Sequence, residues 1–266
     1  MITSLSSAEP VLARIDGWPI HVPNLATAVA RITARAKLDR GFTVFTLNLD
    51  HLSKLRTLRA FQSAYATAGL VTADGAPVAW LSRFQSASVE RTTGADLFVP
   101  LAQAAARERL PVFLFGTKMA VLTAAARTLN EATGSTIEIA GLLSPSVRFD
   151  PEGPEADAAI ARIKASGARL CFVTLGAPKQ EIFATRAAAH GCQGAFVCVG
   201  AAADFLAGTQ MRAPVALRRW GLEWAWRLGT NPRRLAKRYA RCTAVLFDVA
   251  VVQPVRLRLA RNGAHG

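Results

Sequence analysis

What most constrains this chain is a rhythm. Short runs of β-branched and aromatic residues recur at Phe42–Leu47, Gly69–Thr72, Val112–Phe115, Thr136–Ile139, Leu170–Leu175 and Ala195–Val199. Between most of them lie Ala/Leu/Arg stretches with helical spacing, at Leu97–Arg109, Met119–Ala132, Glu155–Ala165 and Gln180–His190. Continuous apolar strands alternating with helices predict an α/β fold, a parallel sheet with helices on both faces, since only burial on both sides suits a strand that is apolar throughout. Ahead of this rhythm, Arg14–Trp18 reads as a hairpin around Asp16-Gly17. Asn24 reads as the cap of a helix running to about Asp39, with Gly41 beyond its end. Ser82–Thr93 reads as an exposed connection, and Leu143–Pro154, with three prolines, as a loop.

From Ala216 the pattern changes to Trp- and Arg-rich helix, which divides the chain into a core, 1–215, and an appendage, 216–266. The charge divides in nearly the same place. Residues 212–266 hold 12 Lys/Arg against two acids, Glu223 and Asp248, whereas the rest holds 20 against 16. A cationic segment of this kind meets phosphates, whether on nucleic acid, an anionic membrane face or a phosphorylated substrate. Arg227, Arg234, Arg238 and Arg241 share one helix face if the break at Pro232 is minor. A solvated basic face would explain that spacing, and the interleaved Trp220, Trp224 and Trp226 make an interface with membrane or core an equal alternative. With 51% hydrophobic and 19% charged residues, disordered and low-complexity classes are excluded. The start of the chain lacks a basic segment followed by an apolar one, and the run Thr243–Val252 is about half the ~20 residues of a membrane span. A cytoplasmic protein with at most a surface attachment to membrane is expected. Cys171, Cys192, Cys198 and Cys242 show no metal or disulfide spacing, and Cys171 and Cys198 read as core fillers.

Ligands of open parallel sheets bind at the carboxyl ends of the strands, and that is where the polar and glycine punctuation falls: Thr46 and Asn48, Asp74-Gly75, Gly116-Thr117, Gly176 to Gln180, and Gly200 to Asp204. No G-x-G-x-x-G follows the first strand, and there is no Walker-type lysine loop and no G-x-S-x-G, so three common α/β chemistries lack their signatures. The four histidines are scattered, and no metal is called for. Asp74-Gly75 is ordinary turn chemistry, but a carboxylate at a strand's carboxyl edge can also take a proton from an attacking hydroxyl. Thr93 and Asp96 read as a helix start, which leaves Arg91 free for an anion. Gly176-Ala177-Pro178-Lys179-Gln180 opens another helix, whose backbone N–H groups beside Lys179 suit a phosphate; a tight turn with a solvated lysine is the plainer alternative. A nucleic-acid-binding protein using the tail stays open as a second class, although it would leave the strand-end groups idle. A nucleotide-dependent oxidoreductase is a third, and it lacks its glycine fingerprint.

Seven motifs occur together in order: Phe45-Thr46-Leu47-Asn48, Ala73-Asp74-Gly75-Ala76-Pro77, Glu90-Arg91-Thr92-Thr93-Gly94-Ala95-Asp96, Gly176-Ala177-Pro178-Lys179-Gln180-Glu181, Val199-Gly200 with Asp204-Phe205 and Gly208, Arg212-Ala213-Pro214, and Gly221-Leu222-Glu223-Trp224 with Arg227. Together they resemble the WecG/TagA/CpsF glycosyltransferases over roughly residues 12–241. The resemblance implies a Rossmann-like core. It also implies transfer of a hexose, with inversion, without a metal or other cofactor, from a UDP-sugar to a sugar on a membrane polyprenyl diphosphate. Asp74 would be the general base, with Arg91 and Gln180 as binding or catalytic helpers and Thr46 and Asn48 as substrate-pocket groups. Gly116, Gly176, Lys179, Gly200, Asp204 and Arg212 would complete the substrate site. Arg227 and Arg234 would be the tail arginines that close over the diphosphate. The tail departs from the family's Pro-x-Arg-x-x-Arg at Pro232-Arg233-Arg234-Leu235-Ala236-Lys237, so that contact stays open among Arg233, Arg234, Lys237 and Arg238. The expected partners are the UDP-sugar, the lipid-linked acceptor and the anionic inner face of the plasma membrane; a homo-oligomer is compatible with this and nucleic acid is not expected. Arg outnumbers Lys 26 to 6, a composition that leans toward exopolysaccharide synthesis in a GC-rich organism.

Overall fold

The computed structural model describes residues 9–85, 87–133, 136–211, 213–214, 216–217, 220, 223–230 and 232–256. A two-stranded antiparallel hairpin, β1 (Ala13–Ile15) and β2 (Trp18–Ile20), turns at Asp16-Gly17 as expected. Helix α1 (Leu25–Ala36) follows, and the Asn24 side chain accepts a hydrogen bond from the Thr27 N–H at 2.9 Å, as a cap should. Then come β3 (Phe42–Leu47), α2 (Leu49–Leu55), α3 (Arg59–Ala66), β4 (Leu70–Ala73), α4 (Ala76–Arg83), α5 (Gly94–Arg107), β5 (Val112–Gly116), α6 (Met119–Thr133) and β6 (Ile139–Leu143). The core ends with α7 (Pro154–Ala165), β7 (Leu170–Thr174), α8 (Lys179–Ala189), β8 (Ala195–Cys198) and α9 (Ala202–Leu206). The tail carries α10 (Glu223–Thr230) and α11 (Pro232–Phe247), which runs on through a π-turn at Asp248–Val252.

The main sheet has six strands, parallel throughout, in the order β4-β3-β8-β7-β5-β6. Alternate residues of each strand enter opposite cores. Phe45, Leu47, Val71, Phe113, Phe115, Val173 and Phe196 pack with α2, α3, α7, α8 and the hairpin. Val44, Leu70, Val112, Leu114, Phe172 and Val197 pack with α1, α5, α6 and α9. The α/β expectation holds. One strand is displaced: the fourth run, expected at Thr136–Ile139, pairs instead as β6 over Ile139–Leu143, at the edge beside β5. The first two residues of the expected Ser82–Thr93 connection, Ser82 and Arg83, belong to α4, and Val89, Thr92 and Thr93 within it are buried.

Candidate active site

The crevice that the topology opens lies between β3 and β8. These strands are neighbours, but the chain leaves β3 through α2, whose Leu52 and Leu55 join one core, and leaves β8 through α9, whose Ala202 and Ala203 join the other. Adjacent strands whose connections depart to opposite faces leave a gap at their carboxyl ends. Asn48 stands at one lip of this gap and Gly200 at the other, with Asp74 beside Asn48 at the end of β4.

Asp74 is fixed from both ends. Its N–H donates to the Leu47 carbonyl at 2.8 Å, and its Oδ2 accepts from Asn48 Nδ2 at 3.2 Å. Asn48 in turn caps α2, accepting from the His51 N–H at 2.9 Å, so one side chain starts the helix and holds the carboxylate. Asp74 itself stays half-buried, within reach of solvent and ligand. Thr46 is buried in register with Thr72, whose hydroxyl donates to the Thr92 carbonyl at 2.8 Å. That bond brings the Arg91–Thr93 segment over the strand ends. Gly94 lets it settle there: a Cβ at Gly94 would lie 2.7 Å from Val199 Cα, so any side chain would push α5 off the end of β8.

Thr93 caps α5 as expected, and Asp96 returns a hydrogen bond to the Thr93 N–H, so the two form a capping box. Arg91 is not free as expected. Its guanidinium lies 3.6 Å from Asp96 and 3.8 Å from Glu223 of the tail, ion pairs too long to be hydrogen bonds. Gly116 is pressed against β7, where a Cβ would come 2.5 Å from Thr174 Oγ1. Gly176 is exposed at the turn into α8. Lys179 turns its ammonium to the Phe149 carbonyl at 2.7 Å, a partner that neither of its two expected roles included. Asp204 is half-buried in the first turn of α9, where its carbonyl and carboxylate hold the Thr209 hydroxyl.

Gln180 is buried, and its Oε1 accepts from the Gly200 N–H at 3.1 Å, while its Nε2 donates to Glu181 at 2.7 Å. Glu181 and its neighbours His51 and Tyr65 were not singled out from the sequence. Glu181 lies 3.8 Å from His51 Nε2, and His51 Nδ1 is 2.7 Å from the Tyr65 hydroxyl. Burial pushes Glu181 up to about 7 and His51 down to about 3, and it keeps the Tyr65 phenol protonated well past its ordinary range.

The tail docks beside this site. Leu235, Cys242 and Val245 of α11 are buried, and Arg238 pairs with Asp50 of α2 at 3.1 Å. Burial alone would raise the Asp50 carboxyl, but Arg238 and Lys54 hold it below the usual carboxylate range. Lys54 bonds both Asp50 and the Ala177 carbonyl, tying α2 to the turn before α8. Arg56 joins Asp16 of the hairpin to Asp248 of the tail, each at 2.7 Å. Arg212, and the side chains of Arg227 and Arg234, lie outside the described residues.

Among the described residues no three His, Cys, Asp or Glu side chains converge to hold a metal, and no helix is long and apolar enough to cross a membrane. An open groove of about 860 Å³ lies between α1 and α5 and contains none of the strand-end groups. The crevice is therefore identified by its chemistry rather than by its volume. Its carboxylate, cations and buried amide sit on a parallel sheet, and the family model for Glycosyl transferase WecG/TagA/CpsF matches residues 13–260. The chain belongs to this family of glycosyltransferases.

Proposed function

We propose that the chain moves a hexose from a UDP-sugar to a sugar carried on a membrane polyprenyl diphosphate, with inversion and without a metal, in the synthesis of a cell-surface polysaccharide. The observation that carries this is the half-buried Asp74 carboxylate held by Asn48 at the lip of the β3–β8 crevice. One carboxylate there suffices for an inverting displacement. Asp74 takes the proton of the acceptor hydroxyl as its oxygen bonds to the anomeric carbon. The bond from that carbon to the β-phosphate oxygen breaks, and its electron pair leaves with UDP. Asn48 keeps Asp74 aimed, since a base a full ångström out of place loses much of its rate advantage.

The departing diphosphate needs fixed positive charge. Arg91 and Arg238 stand on the core and tail sides of the site, and guanidinium forks bind phosphate oxygens in pairs. Each donor aimed at developing charge contributes on the order of 3 kcal/mol. A ligand phosphate would take these cations from Asp96, Glu223 and Asp50. The lipid-linked acceptor accounts for the tail's surface: Trp220 is 75% exposed and Phe247 60%, on a segment rich in arginine. Such a surface suits an anionic leaflet, with roughly 1 kcal/mol from each cation near it. The chain would then work at the cytoplasmic face.

The test is to incubate the protein with a panel of UDP-sugars and short-chain prenyl-diphosphate sugars, with and without EDTA, and to read the products by mass and the anomeric configuration of the new linkage by NMR. One UDP-sugar should give a prenyl-diphosphate disaccharide of inverted linkage at the same rate with the chelator. A panel without any lipid-linked product overturns the reading.

A further inference from the structure

Glu181 is fully buried, the only acid so placed among the described residues. One of its carboxyl oxygens, Oε2, has no hydrogen-bond partner. A buried polar atom left unpaired costs about 1–3 kcal/mol, and packing alone gives no reason for a carboxyl at this position. Its other oxygen, Oε1, accepts from Gln180 Nε2 at 2.7 Å and lies 3.8 Å from His51 Nε2. These two neighbours lead to opposite lips of the crevice. Gln180 Oε1 receives the Gly200 N–H. His51 sits in the first turn of α2, where its N–H is held by Asn48, the residue that bonds Asp74.

We propose that Glu181 is a positioning residue for sugar transfer: its buried carboxyl, lying between Gln180 and His51, fixes which way round the Gln180 amide sits and so ties the Gly200 turn to the Asn48–Asp74 pair. An amide held at its oxygen alone could still swing. Held at both ends, it keeps its oxygen on Gly200 and its nitrogen on Glu181, and the second hydrogen of that nitrogen remains for a ligand oxygen. The hydrogens on the other side follow. In the His51 tautomer that carries its hydrogen on Nε2, the Tyr65 hydroxyl donates to Nδ1 and the Nε2 hydrogen faces Glu181. The remaining ionisable groups around this pair are Asp50 and Lys54 of α2, Cys198 of β8, Asp74 at the end of β4, and Arg238 of α11.

The proposal rests on the transferase reading, and the experiment separates the two. The full chain and Glu181→Gln, which preserves shape and an acceptor oxygen, are compared in the transfer assay across pH 5.5–8.5 on about ten points, with UDP binding by calorimetry and amide exchange at Gly200. A carboxylate accepts a stronger hydrogen bond from Gln180 than an amide does. Wild-type kcat should therefore climb through an ionisation near 7 that Glu181→Gln lacks. At the alkaline end the variant's kcat should be about five- to tenfold lower, its UDP dissociation constant within about twofold, and its Gly200 amide should exchange faster. A wild type that turns over beside a Glu181→Gln with the same kcat, the same pH limb and the same Gly200 exchange overturns the role of Glu181. A wild type that transfers no sugar overturns the transferase reading, and unchanged Gly200 exchange in the variant would still overturn the positioning role.

Discussion

Within the crevice, Gln180, Glu181, His51 and Tyr65 are each less than 5% exposed and joined mostly by hydrogen bonds of 2.7–3.1 Å. Across the site the tail packs its apolar residues on the core and adds ion pairs at the rim. Arg238 is 46% exposed where it pairs with Asp50, and Arg91 faces Glu223 at 3.8 Å. The difference matches two tasks. Proton transfer needs a base fixed to a fraction of an ångström, which buried hydrogen bonds provide. Capture and release of a nucleotide needs cations that change partners, and these pairs, whose cations keep part of their surface open to solvent, can exchange. On the proposed function, Asp50 would yield the tail's Arg238, and Glu223 the core's Arg91, to a diphosphate.

The sharpest way to break the comparison is at the base. Asp74→Asn keeps the shape at the end of β4 and removes the proton acceptor. Its kcat should fall on the order of a thousandfold while UDP binding by calorimetry stays unchanged. Full turnover by this variant would exclude Asp74 as base. Removing residues from 216 onward attacks the other side. Loss of the tail cations should lower transfer on the order of a hundredfold, and the truncated chain should no longer sediment with anionic vesicles. Because truncation also uncovers the part of α2 against which α11 lies, thermal unfolding must show that the core persists. A fully active, vesicle-free core would assign the whole reaction to the crevice.

How much of this was legible depended on where the defining neighbours lie. β3 was read to the residue, Phe42–Leu47, because a strand buried on both faces is apolar throughout and hard to mistake. β6 slipped because it is an edge strand, half-buried along its length, with Gly141 against the Phe113 ring and a register shift beside Val112. Helix α2, Leu-Asp-His-Leu-Ser-Lys-Leu, was passed over since it is short and polar, although its cap Asn48 was noted for another reason. Asp74, Asn48 and Gln180 could be found because polar residues at strand ends interrupt an apolar pattern. Glu181 could not. It reads as a favourable acid in a first helical turn, and only the packing of α8 against α2 and α3 reveals that it is buried beside His51 and Tyr65. Arg91 was legible as a residue that capping does not use, but its carboxylate neighbour from the tail was not.

The buried pair also predicts an unusual pH dependence of stability. Glu181 titrates at about 7 in the folded chain against 4.5 in its ordinary range, so the folded state holds an extra proton between these values. Stability from this group is full below the lower value and declines as pH rises, by roughly 3 kcal/mol in all. His51 titrates at about 3 against 6.5, so the unfolded chain takes its proton first and stability declines as pH falls through that window. Where the windows overlap the two slopes oppose each other. Glu181→Gln leaves His51 alone, so its unfolding midpoint should rise with pH between about 4.5 and 6.5, where the wild type stays nearly flat. It should also exceed the wild type above pH 7. A wild type whose midpoint climbs as steeply as the variant's would mean that Glu181 is ionised at ordinary cost in the fold.

The smallest effect belongs to the tail contact. Asp50→Asn removes the carboxylate that pairs Arg238 and Lys54 but leaves the apolar packing of α11 in place. Stability should change by about 1 kcal/mol or less, which for a chain of this size moves the midpoint by roughly 2–4 °C. Proteolysis at the tail should respond more, because the pair resists local opening rather than global unfolding. Adding salt to the wild type should reproduce this, since screening at 1 M reaches down to about 3 Å. The hydrogen exchange of Gly200, held by the buried Gln180, should not respond to the same salt. Equal salt sensitivity at Gly200 and at the tail would remove the distinction between a fixed crevice and an exchangeable clasp.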